Sequence, residues 1–178
     1  MANFNLSLNR TLSHEGKYRN DPSDNGGETY KGIARKSHSD WAGWSIIDKC
    51  KKAPNFPQSL EKSEELQNLV VEVYYHQYWQ PLKADQIRMQ SVADSIFDFA
   101  VNAGVITSIE IVQKMLRIKI DGLVGTETIS HINAEEENHF LSTLTVKKLK
   151  YYMDTIRRRP TNKKFLLGWL SRSLSFNN

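Results

Sequence analysis

Apolar residues recur every three or four positions along most of this chain, a spacing typical of amphipathic helices. The first such stripe is Phe4, Leu8 and Leu12, which predicts a helix over residues 3–15. Capping residues such as Ser63, and breaks at proline and glycine, delimit further helices. They include residues 63–79, 92–103 and 135–158, with shorter helices after Thr107, after Thr126 and around 165–170.

The stretch from residue 14 to residue 33, HEGKYRNDPSDNGGETYKGI, interrupts this helical pattern. Its Asp-Pro and Asn-Gly-Gly sequences are turn signals, and residues 28–31 alternate as a short strand does. Residues 33–38 are predicted to return to helix. The predicted fold class is therefore mainly α, with a small irregular β-hairpin near residues 18–32. Residues 92–103 are apolar over most of their surface and are predicted to form the central buried helix.

Composition places the chain among ordinary soluble globular proteins. Its 178 residues are 39% hydrophobic and 25% charged, and no apolar run approaches the ~20 residues of a membrane span. The N-terminus lacks a basic segment followed by an apolar one, so we expect no Sec-type signal peptide. Cys50 is the single cysteine, which suits synthesis in a reducing cytoplasm.

Positive charge is concentrated near the C-terminus. The net charge is +4, and residues 147–164 carry eight Lys or Arg against Asp154 alone. A basic face suggests an anionic polymer as partner, and both nucleic acid and bacterial cell wall qualify. The alternative is a solvated helix surface without a specific partner.

Three residues of the polar stretch form a candidate constellation for glycoside hydrolysis: Glu15, Asp24 and Thr29. Cleaving a glycosidic bond needs a carboxylic acid that protonates the leaving oxygen, and an inverting enzyme also orients a water on the opposite face. Glu15 suits the first role, and Asp24 with Thr29 suits the second. The alternative is that the aspartates only cap turns and that Glu15 is an exposed helix-end residue.

The motif Glu15-Gly16-Lys17-Tyr18, with Asp21-Pro22-x-Asp24-x-Gly26-Gly27-x-Thr29-x-x-Gly32-Ile33 after it, resembles glycoside hydrolase family 108. These are lysozyme-like N-acetylmuramidases whose usual motif is Glu-Gly-Gly-Tyr. The resemblance implies a lysozyme-like helical fold and makes Glu15 the catalytic acid, while Lys17 departs from the second glycine. The Glu–Asp–Thr spacing is also similar to that of phage T4-type lysozymes, which suggests Asp24 and Thr29 for water positioning.

Later segments continue the resemblance. Residues 74–81 resemble a helix end of the family, and residues 97–104 resemble the start of its peptidoglycan-binding region, followed by Gln113, Leu116 and the 121–128 turn. We therefore predict a catalytic region at residues 1–93 and a peptidoglycan-binding region at 94–178. With no Gly/Pro/Ser-rich linker between them, we expect the two to pack into one body.

Substrate-binding candidates are the aromatic residues and one amide. Aromatic rings can stack on sugar rings, although each could equally pack in the core. Asn102 could bind an N-acetyl group, or be a buried amide satisfied by backbone. We predict no cofactor and no metal, since the five histidines lack ligand spacing. The aromatic candidates are Tyr18, Tyr30, Tyr75, Tyr78 and Trp79.

The predicted function is cleavage of the β-1,4 bond between N-acetylmuramic acid and N-acetylglucosamine in peptidoglycan, with inversion. We expect a monomer that acts at the wall after holin-type or dedicated export. The alternative is a non-catalytic wall-binding protein that assists secretion, as family members labelled secretion activators suggest. A nucleic-acid-binding domain fits the charge, but the chain has no recognisable reading motif.

Overall fold

The computed structural model describes residues 1–21 and 26–176, and the chain divides into two compact units. One unit is Leu8–His76, and the other combines Met1–Ser7 with Gln77–Asn178. We refer to them as the sheet unit and the helical unit. In the described chain, no helix is both long enough and apolar enough to cross a bilayer.

Helix α1, Phe4–Leu12, forms where the first apolar stripe predicts it but ends before Glu15. The Ser13 hydroxyl donates to the carbonyl oxygen of Arg10 at 2.6 Å, and the Glu15 N–H donates to Leu12 at 3.2 Å. Such local bonds compete with the helical ladder. Glu15 therefore lies in a turn beyond α1, not on its last helical turn as predicted.

The sheet unit takes its name from three short antiparallel strands in the order β1-β2-β3: Tyr18–Asn20, Glu28–Tyr30 and Ile33–Ala34. Lys31 and Gly32 connect β2 to β3 with φ values of 44° and 79°, as in the two-residue type I′ turn. The predicted hairpin near residues 18–32 is confirmed by the antiparallel pairing of β1 with β2. The predicted helix over 33–38 is wrong, because β3 satisfies its backbone groups by pairing with β2.

Helices pack beside this sheet within the same unit. They are α2 (Gly43–Cys50), a 3-10 helix (Gln58–Lys62) and α3 (Glu64–Tyr74), after which the chain continues as a π-helical turn, Tyr75–Trp79. The predicted cap of α3 is confirmed, since the Ser63 hydroxyl oxygen accepts from the Leu66 N–H at 3.3 Å. The unit's core includes Trp44, Ile47, Leu60, Leu66 and Val70.

The helical unit is built around α4, Gln90–Ala103, whose nine consecutive residues Val92–Ala100 are buried. Helix α4 packs against α5 and α7, and α7 against α8. Its central burial and the mainly α fold class are therefore confirmed. The remaining helices are α5 (Val105–Leu116), α6 (Thr126–Ala134), α7 (Glu137–Arg158), a 3-10 helix (Pro160–Phe165) and α8 (Leu166–Leu174).

Two carboxylates of α4 are buried and paired within the helical unit. The Asp98 carboxylate forms an ion pair with Arg172, whose Nε and Nη2 lie 2.8–2.9 Å from its oxygens. The Asp94 carboxylate accepts hydrogen bonds from the Gln90 amide at 2.7 Å and the Ser7 hydroxyl at 2.5 Å. Buried carboxylates are costly unless paired. These contacts show how the apolar helix accommodates both charges.

Candidate active site

The Glu15 carboxyl group lies against the tight turn of the hairpin. A Cβ placed on Gly32 would come 2.9 Å from Glu15 Oε2 and 2.6 Å from the Tyr74 hydroxyl. Glu15 is half-buried, and no heavy atom other than its chain neighbours lies within 4 Å of a Cβ placed on Gly16. One side of Glu15 thus faces a crowded turn, while the backbone that follows it is open.

Tyr74 connects this turn to helix α3. Its hydroxyl donates to the carbonyl oxygen of Lys31 at 2.8 Å, and the Lys31 N–H donates to the carbonyl of Lys17 at 3.1 Å. A positive φ and the two close approaches together require glycine at position 32. Sequence reasoning did not select Tyr74 as a site residue, and nothing in its helical context singles it out from neighbouring tyrosines.

The two other members of the predicted constellation differ in what the structure describes. Thr29 lies on β2, half-buried, opposite Arg19 on one side and Ala34 on the other. A Cβ placed on Gly26 would lie 3.4 Å from Thr29 Cγ2, so the methyl group of Thr29 borders that glycine. Asp24 lies outside the described residues.

An ion-pair network links the sheet to α2. The Glu28 carboxylate forms ion pairs with Arg35 Nε at 2.8 Å and Lys51 Nζ at 2.7 Å. The Asp48 carboxylate forms ion pairs with the same two side chains, each at 2.7 Å. Hydrogen bonds from Arg35 and then Lys51 lower the pKa of Asp48 to about 2. The network joins residues far apart in sequence, so no local motif could have predicted it.

Tyr18 is held in place by this network. Its hydroxyl donates to Glu28 at 2.8 Å, and its ring contacts Phe56 edge-on with centroids 4.6 Å apart. Burial and the hydrogen bond to Glu28 raise the pKa of the Tyr18 phenol. The half-buried ring also lines a cavity of about 350 Å³ with Lys17, Pro57, Gln58 and Glu61.

The structure corrects the stacking role assigned to Tyr30 and Trp79, because each ring is fully enclosed with 0% exposure. Tyr30 donates to Glu61 at 3.1 Å and accepts from Gln67 at 3.0 Å, and burial raises its pKa to about 12. Trp79 donates its indole N–H to Asp85 at 2.7 Å. Both rings therefore pack in the core, which was the stated alternative to stacking on sugar rings.

Tyr75 and Tyr78 are half-buried, so part of each ring is accessible. Tyr75 contacts His76 edge-on at a centroid distance of 5.2 Å. Asn102 is also half-buried, and its amide nitrogen donates to the Tyr152 hydroxyl at 2.7 Å. The contacts described for Tyr75, Tyr78 and Asn102 do not test their predicted roles in substrate binding, so these roles stay predictions.

The basic segment is less uniform than its sequence indicates. Lys148 is 1% exposed and donates to the carbonyl and hydroxyl oxygens of Ser95 at 2.8 and 2.7 Å. It therefore belongs to the core of the helical unit and not to the predicted basic face. The exposed cations of this segment are Lys150, Arg157, Arg158, Arg159, Lys163 and Lys164.

A second cavity, of about 290 Å³, lies in the helical unit, where its polar wall includes Arg117, Glu135 and His139. Among residues 1–21 and 26–176, no three His, Cys, Asp or Glu side chains come together as metal ligands would.

Two family models together match most of the chain. The family model Glycosyl hydrolase 108 matches residues 8–104, and the model Predicted Peptidoglycan domain matches residues 107–174. The solved structure of Brucella abortus SagA is similar, with a TM-score of 0.63 and 21% identity over 98% of this chain and 95% of that one. That likeness shows a shared fold. The search of curated proteins found no match, and the predicted boundary at residues 93/94 stays a prediction.

Proposed function

Because the chain belongs to the glycosyl hydrolase 108 family, we propose that it is a peptidoglycan hydrolase with Glu15 as its general acid. The bond cleaved would be the β-1,4 linkage between N-acetylmuramic acid and N-acetylglucosamine. Peptidoglycan as the polymer is supported by the peptidoglycan domain over residues 107–174. The choice of bond rests on the resemblance of the Glu15 motif to N-acetylmuramidases.

The observation that carries this proposal is the position of the Glu15 carboxyl group beside Gly32 and the Tyr74 hydroxyl. A general acid must be held in place within hydrogen-bond reach of the leaving oxygen. The Tyr74 hydroxyl donates to the Lys31 carbonyl at 2.8 Å, which fixes Tyr74 against the turn beside which the Glu15 carboxyl group lies.

Inversion follows if a water attacks from the face opposite Glu15. We assign the positioning of that water to Asp24 and Thr29, on the Glu–Asp–Thr spacing of the sequence. Thr29 is on the strand that leads directly into the Lys31-Gly32 turn. Proton NMR of products taken within the first turnovers distinguishes the outcomes, since a β-anomer formed first would contradict inversion.

Attraction between the basic face and the anionic wall supports a second part of the proposal. The exposed cations of residues 150–164 lie in the region that the peptidoglycan model covers. Exposed charges are screened by salt over about 8 Å at physiological ionic strength. Wall binding should therefore weaken as salt is raised, and binding that is indifferent to salt would remove this role.

The decisive experiment compares wild-type protein, Glu15→Gln and the control Glu72→Gln on purified peptidoglycan. Glu72 is exposed on α3 in the same unit and loses the same charge. Loss of a general acid typically costs 10²–10⁴-fold. We expect this loss in Glu15→Gln, activity near wild type in Glu72→Gln, and new reducing ends on muramic acid.

The outcome also decides between this function and a non-catalytic wall-binding role. That alternative is favoured by the separate peptidoglycan model over residues 107–174, which accounts for binding without cleavage. Folded wild-type protein that sediments with the wall and releases no reducing ends would support it. Equal activity of Glu15→Gln and wild type would instead contradict the assignment of the acid.

A further inference from the structure

The cavity beside Tyr18, which we call the Lys17 cavity, has the size of a small binding site. Its volume of about 350 Å³ is at the lower end of the range for ligand pockets, enough for a sugar substituent or a short peptide. Its walls are formed by Lys17, Tyr18, Pro57, Gln58 and Glu61. All of them belong to the sheet unit.

The charges of the Lys17 cavity leave an excess of positive charge. The negative charge of Glu61 is paired with Lys31, whose ammonium group lies 3.1 Å from Glu61 Oε2. The other oxygen, Oε1, accepts a hydrogen bond from the Tyr30 hydroxyl at 3.1 Å. Lys17 is exposed, and its ammonium group makes no ion pair with any carboxylate of residues 1–21 or 26–176. The cation without a counterion among the described residues therefore favours an anionic ligand.

The remaining walls match an amide beside an apolar group. Gln58 is exposed on the rim, where its amide can donate to and accept from a peptide bond. The Tyr18 ring is fixed by Phe56 at 4.6 Å and by the hydrogen bond to Glu28 at 2.8 Å. A rigid ring of this kind offers apolar surface at low entropic cost on binding.

The Lys17 cavity and the candidate acid are both linked to the Lys31-Gly32 turn. Lys17 is two residues from Glu15, and its carbonyl oxygen accepts from the Lys31 N–H at 3.1 Å. The Lys31 carbonyl accepts from Tyr74, the hydroxyl that lies beside Gly32 and Glu15. Lys17 and Glu15 are thus both attached to the Lys31-Gly32 turn, one through its backbone carbonyl and the other through its carboxyl group.

We propose that the Lys17 cavity binds the carboxylate-bearing substituent on the lactyl ether of a muramic acid, with Lys17 as its counterion. This deepens the proposed function and rests on it for the identity of the glycan. The carboxylate is that of the lactyl group itself or that of a peptide attached to it. Lys17 thereby selects a substituted muramyl sugar over a neutral amino sugar.

The test measures binding, so it does not depend on cleavage. Three soluble ligands are titrated into the full chain by NMR: the dimer of N-acetylglucosamine, the peptide-free disaccharide N-acetylglucosaminyl-N-acetylmuramic acid, and that disaccharide carrying a tripeptide. The proteins are wild type, Lys17→Gln and the matched control Lys49→Gln, whose lysine is exposed on α2 and does not line the cavity.

We expect Lys17→Gln to weaken binding of a carboxylate-bearing ligand by up to about fivefold, the scale of one exposed ion pair, since Lys17 is exposed. Binding of the neutral dimer should be unchanged, and Lys49→Gln should bind all three as wild type does. A loss already present with the peptide-free disaccharide assigns the lactyl carboxylate, and a loss confined to the tripeptide ligand assigns the peptide.

Equal effects of Lys17→Gln and Lys49→Gln would overturn the proposal, as would an equal loss for all three ligands or signal changes that avoid Lys17, Tyr18 and Gln58. These outcomes are distinct from failure of the proposed function. That failure would appear as wild-type protein that releases no reducing ends or as wall clearing that survives Glu15→Gln, whatever the ranking of the three ligands.

Discussion

Both units have an apolar core and polar contacts but, among the described residues, only in the sheet unit do polar contacts hold together very short strands. In the sheet unit, strands of two or three residues are connected by the Glu28–Arg35–Asp48–Lys51 ion pairs and by hydrogen bonds such as that from Tyr74 to Lys31. In the helical unit, α4 buries nine consecutive residues. A sheet of this size cannot bury enough apolar surface to hold its shape.

This difference bears on where the candidate site lies. Directional polar contacts fix the angle and distance of each partner, whereas apolar burial is non-directional. Glu15, Tyr74 and the Lys31-Gly32 turn all belong to the sheet unit, whose short strands are held by directional contacts. A proton donor needs a fixed angle and distance to the leaving oxygen, which directional contacts provide. Substitutions that remove apolar burial or polar contacts one at a time test this comparison of the two units.

The largest expected effect is in the apolar core of the helical unit. Phe97→Ala removes a ring with 0% exposure, and buried Phe→Ala changes cost about 3–5 kcal/mol. Hydrogen exchange should report this loss in α4, α5 and α7. Leu167→Ala is the control, since that side chain is 79% exposed. Equal losses from the two variants would refute the account of an apolar core.

Next in size is Gly32→Ala at the candidate site. The added methyl group would meet the Tyr74 hydroxyl at 2.6 Å and Glu15 Oε2 at 2.9 Å, at a φ of +79°. Overpacking and left-handed strain together cost about 2–4 kcal/mol. We expect lower stability and lower wall clearing. Gly16→Ala is the matched control, because its Cβ would have nothing within 4 Å beyond its chain neighbours; its stability should stay near wild type.

A third effect, smaller and shared by the two units, appears at alkaline pH. The pKa of Tyr30 in the sheet unit and that of Tyr152 in the helical unit are each raised to about 12, mainly by burial. The unfolded chain loses these protons near pH 10, so their contribution to stability is full below pH 10 and falls as pH rises towards 12. Each phenol contributes up to roughly 3 kcal/mol, because its pKa is raised by about two units and each unit corresponds to about 1.4 kcal/mol.

Tyr30→Phe and Tyr152→Phe should each flatten the fall in unfolding free energy above pH 10. Phenolate absorbance during denaturant titrations measures the effect. A wild-type absorbance that titrates near pH 10 for all seven tyrosines in the folded state would contradict the burial of these two.

The smallest effect concerns the ion pairs of the sheet unit. The pKa of Asp48 is lowered from 3.8 to about 2, so its contribution is present above about pH 4 and is lost as pH falls towards 2. The Asp48 side chain is 47% exposed, which limits the contribution to less than about 1 kcal/mol. Asp48→Asn should remove this part of the acid sensitivity, and added salt should reduce it in wild type. An acid transition that is identical in Asp48→Asn would assign the sensitivity to other carboxylates.

Several elements could be predicted from local sequence because their causes are local. Periodicity predicted α1 and α4, the Ser63 hydroxyl predicted the start of α3, and the turn signals predicted the hairpin. The motif at Glu15 also led to the family that the model over residues 8–104 shows. Each of these signals is contained within about 20 residues of chain.

The errors came from features that depend on distant neighbours. Tyr30, Trp79 and Lys148 carry polar atoms and were assigned to accessible roles, yet each is buried. Tyr30 and Lys148 have hydrogen-bond partners 31 and 53 residues away, and the Trp79 ring packs against Phe4 and Phe97. Residues 33–34 form a strand only because β2 is available to pair with them. A local pattern contains no information about such partners.

The sequence alone determined the helical class, the hairpin, the family and the choice of Glu15 as candidate acid, because periodicity, turn chemistry and a contiguous motif are properties of neighbouring residues. Only the tertiary structure decided what surrounds that acid. Tyr74 comes from α3, Gly32 from the hairpin turn, and the walls of the Lys17 cavity from segments about 40 residues apart. Burial and hydrogen bonding depend on which surfaces meet in space, and the spacing of residues along the chain does not specify that.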